Sequence, residues 1–344
     1  MARADRLRAI VLAIMSIATA PAHAADDFYK GRQISVICGF SPGGGYDAYA
    51  RLLARHIGRH IPGAPSVVVQ TMEGAGTVRA SNYVYVNAPK DGTQFAMTLA
   101  GAILDPLTGG AKRTYEPTRF TYIANANRET GVCVVRADAP VKTFADAFKT
   151  ELIVGGTGPG SAVTDYPLFL RNVFGAKIKY VGGYPGSREV SLAVQKGELH
   201  GVCGLAWSSA KLQYPQVLTP GGPYHVILQE DLKSNAVLDK LGAPLVMTLV
   251  KSEDDRRLAE VFYSQGQLNR VIFAPPDVPA DRVAALRKAV MDTLADPELL
   301  AEAGRMKADV EPSPGAQIQE IVARIFASPP AIVERLKKAV EGKS

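Results

Sequence analysis

Four times in this chain a short apolar run ends in a glycine-rich turn and gives way to an amphipathic stretch. That repeated punctuation restricts the fold more than any other feature. The first instance is Ile34 to Phe40, then Ser41-Pro42-Gly43-Gly44-Gly45, then Tyr49, Leu52, Leu53, His56 and Ile57 at helical spacing. The second is Val67 to Val69, followed by Glu73-Gly74-Ala75-Gly76-Thr77 and a helix over Ala80 to Tyr85. Leu152 to Gly155 runs into Gly156-Thr157-Gly158-Pro159-Gly160-Ser161 and a helix over Val163 to Phe174. Ile178 to Val181 runs into Gly182-Gly183-Tyr184-Pro185-Gly186-Ser187 and a helix over Arg188 to Lys196. Apolar run, turn and helix in alternation predict an α/β fold, with mostly parallel sheets covered on both faces by helices.

Further strands are expected at Phe95 to Thr98, Val132 to Arg136, Gly201 to Gly204 and Val271 to Ala274, and a helix at Phe144 to Phe148. The tail reads as helical, with Pro297, Pro314 and Pro330 each where a first helical turn tolerates proline. A chain of 344 residues exceeds what one core organises, so two lobes are expected. Residues 25–127 would build the first lobe and 128–264 the second. Residues 265–344 would return a strand and the terminal helices to the first, with crossovers near 125–130 and 245–270.

The N-terminus addresses the chain for export. Arg3, Arg6 and Arg8 precede a short apolar stretch, Ile10 to Ala20, and Ala22-His23-Ala24 offers small residues for cleavage. The stretch is shorter than the roughly 20 residues that span a bilayer and it ends in Pro21. The expectation is a signal peptide over 1–24 and a mature protein free in the periplasm. Losing three arginines and one aspartate with it lowers the formal charge from +6 to +4. The basic residues are scattered, which argues against nucleic acid as a partner. Cys38, Cys133 and Cys203 have no metal-binding spacing. Cys133 and Cys203 lie in strand-like contexts of one lobe, which allows a disulfide without requiring one, and Cys38 is expected to be buried alone.

The glycine turns carry the chemistry. A turn without side chains lets backbone approach a ligand, and the helix that follows offers unpaired N–H groups and a positive dipole end to an anion. In parallel sheets ligands sit beyond the carboxyl ends of strands, so four such turns, two per lobe, would face one another across a cleft. Gly39-Phe40-Ser41-Pro42-Gly43 also spells the G-x-S-x-G turn of serine hydrolases. That mechanism takes an oxyanion donor from the N–H after the serine, and Pro42 has none. An exported hydrolase using Ser41 is therefore the alternative rather than the main reading. Asp47 and Asp165 could be taken as an acid pair across the lobes, but each more simply occupies a first helical turn. None of the turns matches a nucleotide-binding pattern.

These turns and their surroundings resemble the Bug-type receptors, the substrate-binding components of tripartite tricarboxylate transporters. The resemblance runs through Phe40-Ser41-Pro42-Gly43-Gly44 with Asp47 and Ala50-Arg51, Glu73-Gly74-Ala75-Gly76, and Ala88-Pro89-Lys90-Asp91-Gly92-Thr93. It continues through Gly158-Pro159-Gly160-Ser161, Tyr184-Pro185-Gly186-Ser187, Lys196-Gly197-Glu198 and Ala274-Pro275-Pro276-Asp277-Val278-Pro279. It implies a two-lobed flytrap fold of the type II class. It also implies a carboxylate held chiefly by loop N–H groups and water, and delivery to a membrane permease. Three positions depart from the commoner pattern: Thr164 in place of a histidine, and His200 and Gly204 in place of acidic residues, all pocket-side in such receptors.

The expected function is capture of a small carboxylate, a di- or tricarboxylate or an aromatic acid, by a monomer without catalysis, cofactor or metal. Its carboxylate would lie between residues 41–47 and 158–161, touching both lobes, with no buried arginine needed. The site would draw on Phe40, Ser41, Gly43, Gly44, Tyr46 and Asp47 from the first turn and Gly76 from the second. The second lobe would add Gly158, Gly160, Ser161, Tyr184, Gly186 and Ser187. Tyr46 and Tyr184 would be its walls, Ser41 and Ser161 its hydroxyl donors, and valine at Gly44 or Gly160 would block it while leaving the fold intact.

Overall fold

Two sheets account for every strand among the described residues. The structure is a computed structural model, and it describes residues 28–342 apart from 41, 99 and 109–112. The expected leader and Ser41 lie outside the described residues.

The first sheet is built from β1 (Gln33–Cys38), β2 (Ser66–Thr71), β3 (Gln94–Thr98), β4 (Thr121–Asn125), β10 (Val271–Ala274) and the two-residue β11 (Ser313–Pro314). The second is built from β5 (Gly131–Arg136), β6 (Leu152–Gly155), β7 (Ile178–Val181), β8 (Gly201–Ala206) and β9 (Tyr224–Glu230). Their orders are β11-β4-β10-β3-β1-β2 and β7-β6-β8-β5-β9. Apart from β11 the two arrangements are the same. A first strand, β1 or β6, lies between its two parallel successors, and one antiparallel strand, β10 or β5, separates them from the last strand. The central strands are buried along almost their whole length, as continuous apolar runs covered on both faces must be. β2, at an edge, is half-exposed.

The helices are α1 (Gly45–Ile57), α2 (Val78–Val86), α3 (Ala100–Thr108), α4 (Ala162–Phe174), α5 (Ser187–Lys196), α6 (Trp207–Gln213), α7 (Ala236–Lys240), α8 (Glu253–Tyr263), α9 (Ala280–Leu294), α10 (Pro297–Arg305), α11 (Gly315–Phe326) and α12 (Pro330–Ala339). α1 turns Tyr49, Leu52, Leu53, His56 and Ile57 inward, the stripe its spacing predicts. The tail is not confined to one sheet. α9 and α11 pack on β4, whereas α12 lies against α3, α4 and α8, with Asn172 of α4 donating to the carbonyls of Lys338, Ala339 and Glu341.

Three features extend or resolve the sequence expectations. The strand at Val271–Ala274 exists but runs antiparallel, because the chain enters the first sheet from the other lobe. β4, β9 and β11 were not anticipated, and Phe144–Phe148 is a 310 helix, closed by a capping box between Thr143 and Asp146. Cys133 and Cys203 occupy adjacent strands and are disulfide-bonded, while Cys38 is free and buried.

Candidate functional site

All four glycine turns open into one cleft of about 1000 Å³ between the sheets. It lies where β1, β6, β7 and β8 end, on the side that parallel topology assigns to ligands.

The first turn is held from behind by its own helix. Asp47, in the first turn of α1, accepts a hydrogen bond from Gly43 N at 2.9 Å and another from Arg51 Nε at 2.9 Å. Burial pushes its carboxyl up, but Arg51 and the Gly43 N–H outweigh it and leave the group below its ordinary range. Asp47 is buried and is not part of the cleft lining, so it shapes the turn instead of meeting a ligand. The second lobe repeats the device: Asp165, in the first turn of α4, accepts from Gly160 N at 3.2 Å. Gly44 and Ser161 are the residues before α1 and α4, and neither uses a side chain to cap its helix. The N–H groups of the first helical turns have no intrahelical acceptor, and both termini border the cleft.

The lobes approach each other backbone to backbone at one end of the cleft. A Cβ on Gly101, in α3, would sit 1.8 Å from Gly160 O, and one on Gly76 would sit 3.7 Å from Pro159 O. At the end where α1 begins, a Cβ on Gly45 would lie 3.5 Å from Arg270 Nη2 and 3.9 Å from Ser209 Oγ. That end is furnished by the two crossovers, with Glu129 from the first and Gln265, Asn269 and Arg270 from the second. Arg270 is only 2% exposed, its guanidinium 3.9 Å from the centroid of the Tyr46 ring and 4.8 Å from that of Tyr49. Tyr46 in turn stacks on Phe40 at 4.3 Å and bonds through its hydroxyl to Asn269. Burial pushes that phenol up to about 12.

Glu129 is buried, and burial raises its carboxyl against the pull of Arg270 and of Ser208, whose N–H and hydroxyl both bond to it. Behind the lining, Glu230 is fully buried and accepts from Gly204 N at 2.6 Å. Burial pushes it up to about 8.

Of the residues the sequence nominates, Phe40, Gly43, Gly44, Tyr46, Gly76, Gly158, Gly160, Ser161, Tyr184, Gly186 and Ser187 line this one cleft. Asp47 stands behind it, and Ser41 lies outside the described residues. The departures sort differently. Gly204 borders the cleft, and glycine is required there: φ is +72°, and a Cβ would meet Ala162 O at 2.1 Å. Thr164 is turned to the Tyr180 hydroxyl at 3.1 Å, and His200 accepts from Ile153 N at 3.2 Å, neither in the lining. Arg270, Glu129, Gln265 and Asn269 carry no motif, and the sequence reading did not include them, nor any buried arginine, in the site. Among the described residues no histidine lines the cleft; His56 and His60 are engaged with Glu302 of α10 and with Asp296 just before it. A serine nucleophile in the first turn would therefore have no imidazole base among the described lining residues.

No family model matches the chain. A curated relative, the UPF0065 protein in the gbd 5'region of Cupriavidus necator, is 32% identical over 163 residues. The match spans 45% of this chain and 48% of that protein, about half the length of each. Solved structures match throughout. MatC from Rhodopseudomonas palustris with bound malate is 19% identical and has a TM-score of 0.64, over 90% of this chain and 99% of its own. The periplasmic binding protein BugD is 20% identical with a TM-score of 0.65, over 90% and 98%. A second R. palustris protein, solved with adipate, is 22% identical with a TM-score of 0.65, over 90% and 97%. The fold is thus the two-lobed α/β fold of these binding proteins.

Proposed function

We propose that this chain, which shares the fold of Bug-type solute-binding proteins, is itself an exported receptor of that kind. It closes two lobes on a small carboxylate and hands it, unchanged, to a membrane permease of the tripartite tricarboxylate type. One observation carries the reading: two glycine turns, one per lobe, open 13-residue helices into the same cleft, and each is tied back by a first-turn aspartate. Two helix N-termini meeting one anion supply charge-assisted hydrogen bonds from both sides, so the ligand stabilises the closed arrangement.

In this reading Gly43, Gly44, Gly158, Gly160 and Ser161 surround the carboxylate. Tyr46, Phe40, Tyr184, Gly186, Ser187 and Gly76 wall the space around it. In the same reading the first sheet with its helices moves as one body and the second sheet with its helices as the other, with α12 packed across α3 of the first and α4 and α8 of the second. Among the described residues no helix is long and apolar enough to cross a membrane, which is compatible with a free periplasmic monomer. The malate and adipate of two structural relatives favour di- and tricarboxylates within the ligand class.

Thermal unfolding of the purified mature protein against a panel of di-, tri- and aromatic carboxylates tests the reading. A true ligand at 100 times its Kd adds about 2.7 kcal/mol and raises the midpoint by several degrees. No shift with any acid, or conversion of one into a product, would overturn it.

A further inference from the structure

Arg270 is a buried cation with no carboxylate in contact, although the charge of nearby Glu129 reaches it. It is 2% exposed, and among the described residues no carboxylate forms an ion pair with it. Its contacts are the faces of Tyr46 and Tyr49, an Nη1 bond to Asn269 Oδ1 at 3.2 Å, and a backbone N–H bond to Asn125 Oδ1. Nε of Arg270 has no acceptor, nor has Nε2 of Gln265 on the same crossover. The acceptors of Glu129, the acid at this end of the cleft, are committed to Ser208 and Asn127. Taking a guanidinium out of water is costly, and buried charges are ordinarily paired; aromatic faces offset only part of that cost. Both Arg270 and Gln265 line the cleft, and Arg270 reaches it beside the first turn, where a Cβ on Gly45 would lie 3.5 Å from its Nη2.

We propose that Arg270 receives a second anionic group of the ligand, with Gln265 donating beside it, so that the cleft selects a two-ended acid: a dicarboxylate, not a monocarboxylate or an uncharged aromatic acid tail. One carboxylate meets the glycine turns and the other meets the guanidinium, whose planar fork matches a carboxylate in two parallel bonds. The Phe40–Tyr46 stack holds the guanidinium in place, so little side-chain freedom is lost when the anion arrives. The inference rests on the carboxylate-receptor reading above and adds the partner of the ligand's second anionic group.

Titration calorimetry with succinate, malate, glutarate and adipate, each beside its monomethyl ester, separates the two claims. The wild-type protein should bind at least one diacid about tenfold or more tightly than its half ester, the scale of one charge-assisted pair. Arg270→Met should weaken the diacid far more than its half ester and so erase that preference, and Arg270→Lys should restore part of it. Equal affinity of the wild-type protein for diacid and half ester overturns the inference even where Arg270→Met does not fold, and so does an undiminished preference in Arg270→Met. Failure of every diacid and every half ester to bind the wild-type protein overturns the receptor reading along with it.

Discussion

Asp47 and Asp165 hold equivalent places in the two lobes: each accepts the N–H of a glycine in the turn before its own helix, Gly43 at 2.9 Å and Gly160 at 3.2 Å. Neither is a catalytic acid in this arrangement. Each fixes the path of a turn whose backbone is its working surface, so their value lies in geometry that must exist before a ligand arrives.

Removing that support should show in binding before it shows in folding. Asp47→Ala deletes the acceptor of two hydrogen bonds in a buried position and should cost about 1–3 kcal/mol of stability. Asp47→Asn keeps an acceptor for Gly43 but loses the charge facing Arg51, and should cost less. Denaturant melts and calorimetry on the pair check this. Equal affinity for ligand in Asp47→Ala and the wild-type protein would remove Asp47 from the site's construction.

The second-lobe turn can be blocked cleanly at Gly158. An added Cβ meets nothing within 4 Å there, and the backbone is not left-handed. Gly158→Val should therefore lower carboxylate affinity about a hundredfold or more and leave the melting temperature nearly unchanged, because the branch occupies the anion's space. Valine at Gly160 is a poorer test than the sequence suggests. Its φ of +82° is strained for any branched residue, so that variant loses stability as well as binding.

Stability should fall as pH rises across neutrality. Burial raises Glu230 to about 8 in the folded protein, above the ordinary glutamate value it has when unfolded. The native state therefore holds a proton that the unfolded state gives up. The advantage is complete below about pH 4 and is lost as pH climbs through 8, at no more than about 1.4 kcal/mol per pH unit. Burial raises Glu129 and Asp231 in the same direction, so Glu230→Gln should flatten the slope without abolishing it. Melting temperatures of both proteins from pH 5 to 9 decide the point; parallel curves would exonerate Glu230.

Reduction should be costly as well. The Cys133–Cys203 bond closes a sequence separation of 70 residues, for which chain entropy gives about 4 kcal/mol. Dithiothreitol, or a Cys133→Ala and Cys203→Ala double variant, should lower the midpoint by several degrees. Mass spectrometry of the exported protein should find one disulfide and one thiol, Cys38.

The glycine turns were legible because their chemistry is local: a strand end, a helix start and the absence of Cβ atoms can all be read within twenty residues. β6, β7 and β10 fall at their expected limits for the same reason, as apolar runs bounded by turn residues. Arg270 was not legible. It sits in a connection with no periodicity, and its burial follows from Tyr46 and Tyr49, more than two hundred positions earlier. Strand direction escaped too, since nothing in Val271–Ala274 records from which lobe the chain arrives. Thr164 and His200 misled by family pattern: their side chains satisfy Tyr180 and Ile153 and not the cleft.

The meeting of Gly101 with Gly160 has a consequence for control of the whole molecule. With 1.8 Å between a would-be Cβ and that carbonyl, the two backbones cannot keep their present spacing if residue 101 is anything but glycine. A single methyl group there would act as a doorstop. It would leave the interior of each half untouched but push the Gly160 turn away from α3, and so withdraw the present approach of the two lobes. How long cargo stays aboard is then adjustable by one carbon atom, a handle for building receptors that sample their ligand without retaining it.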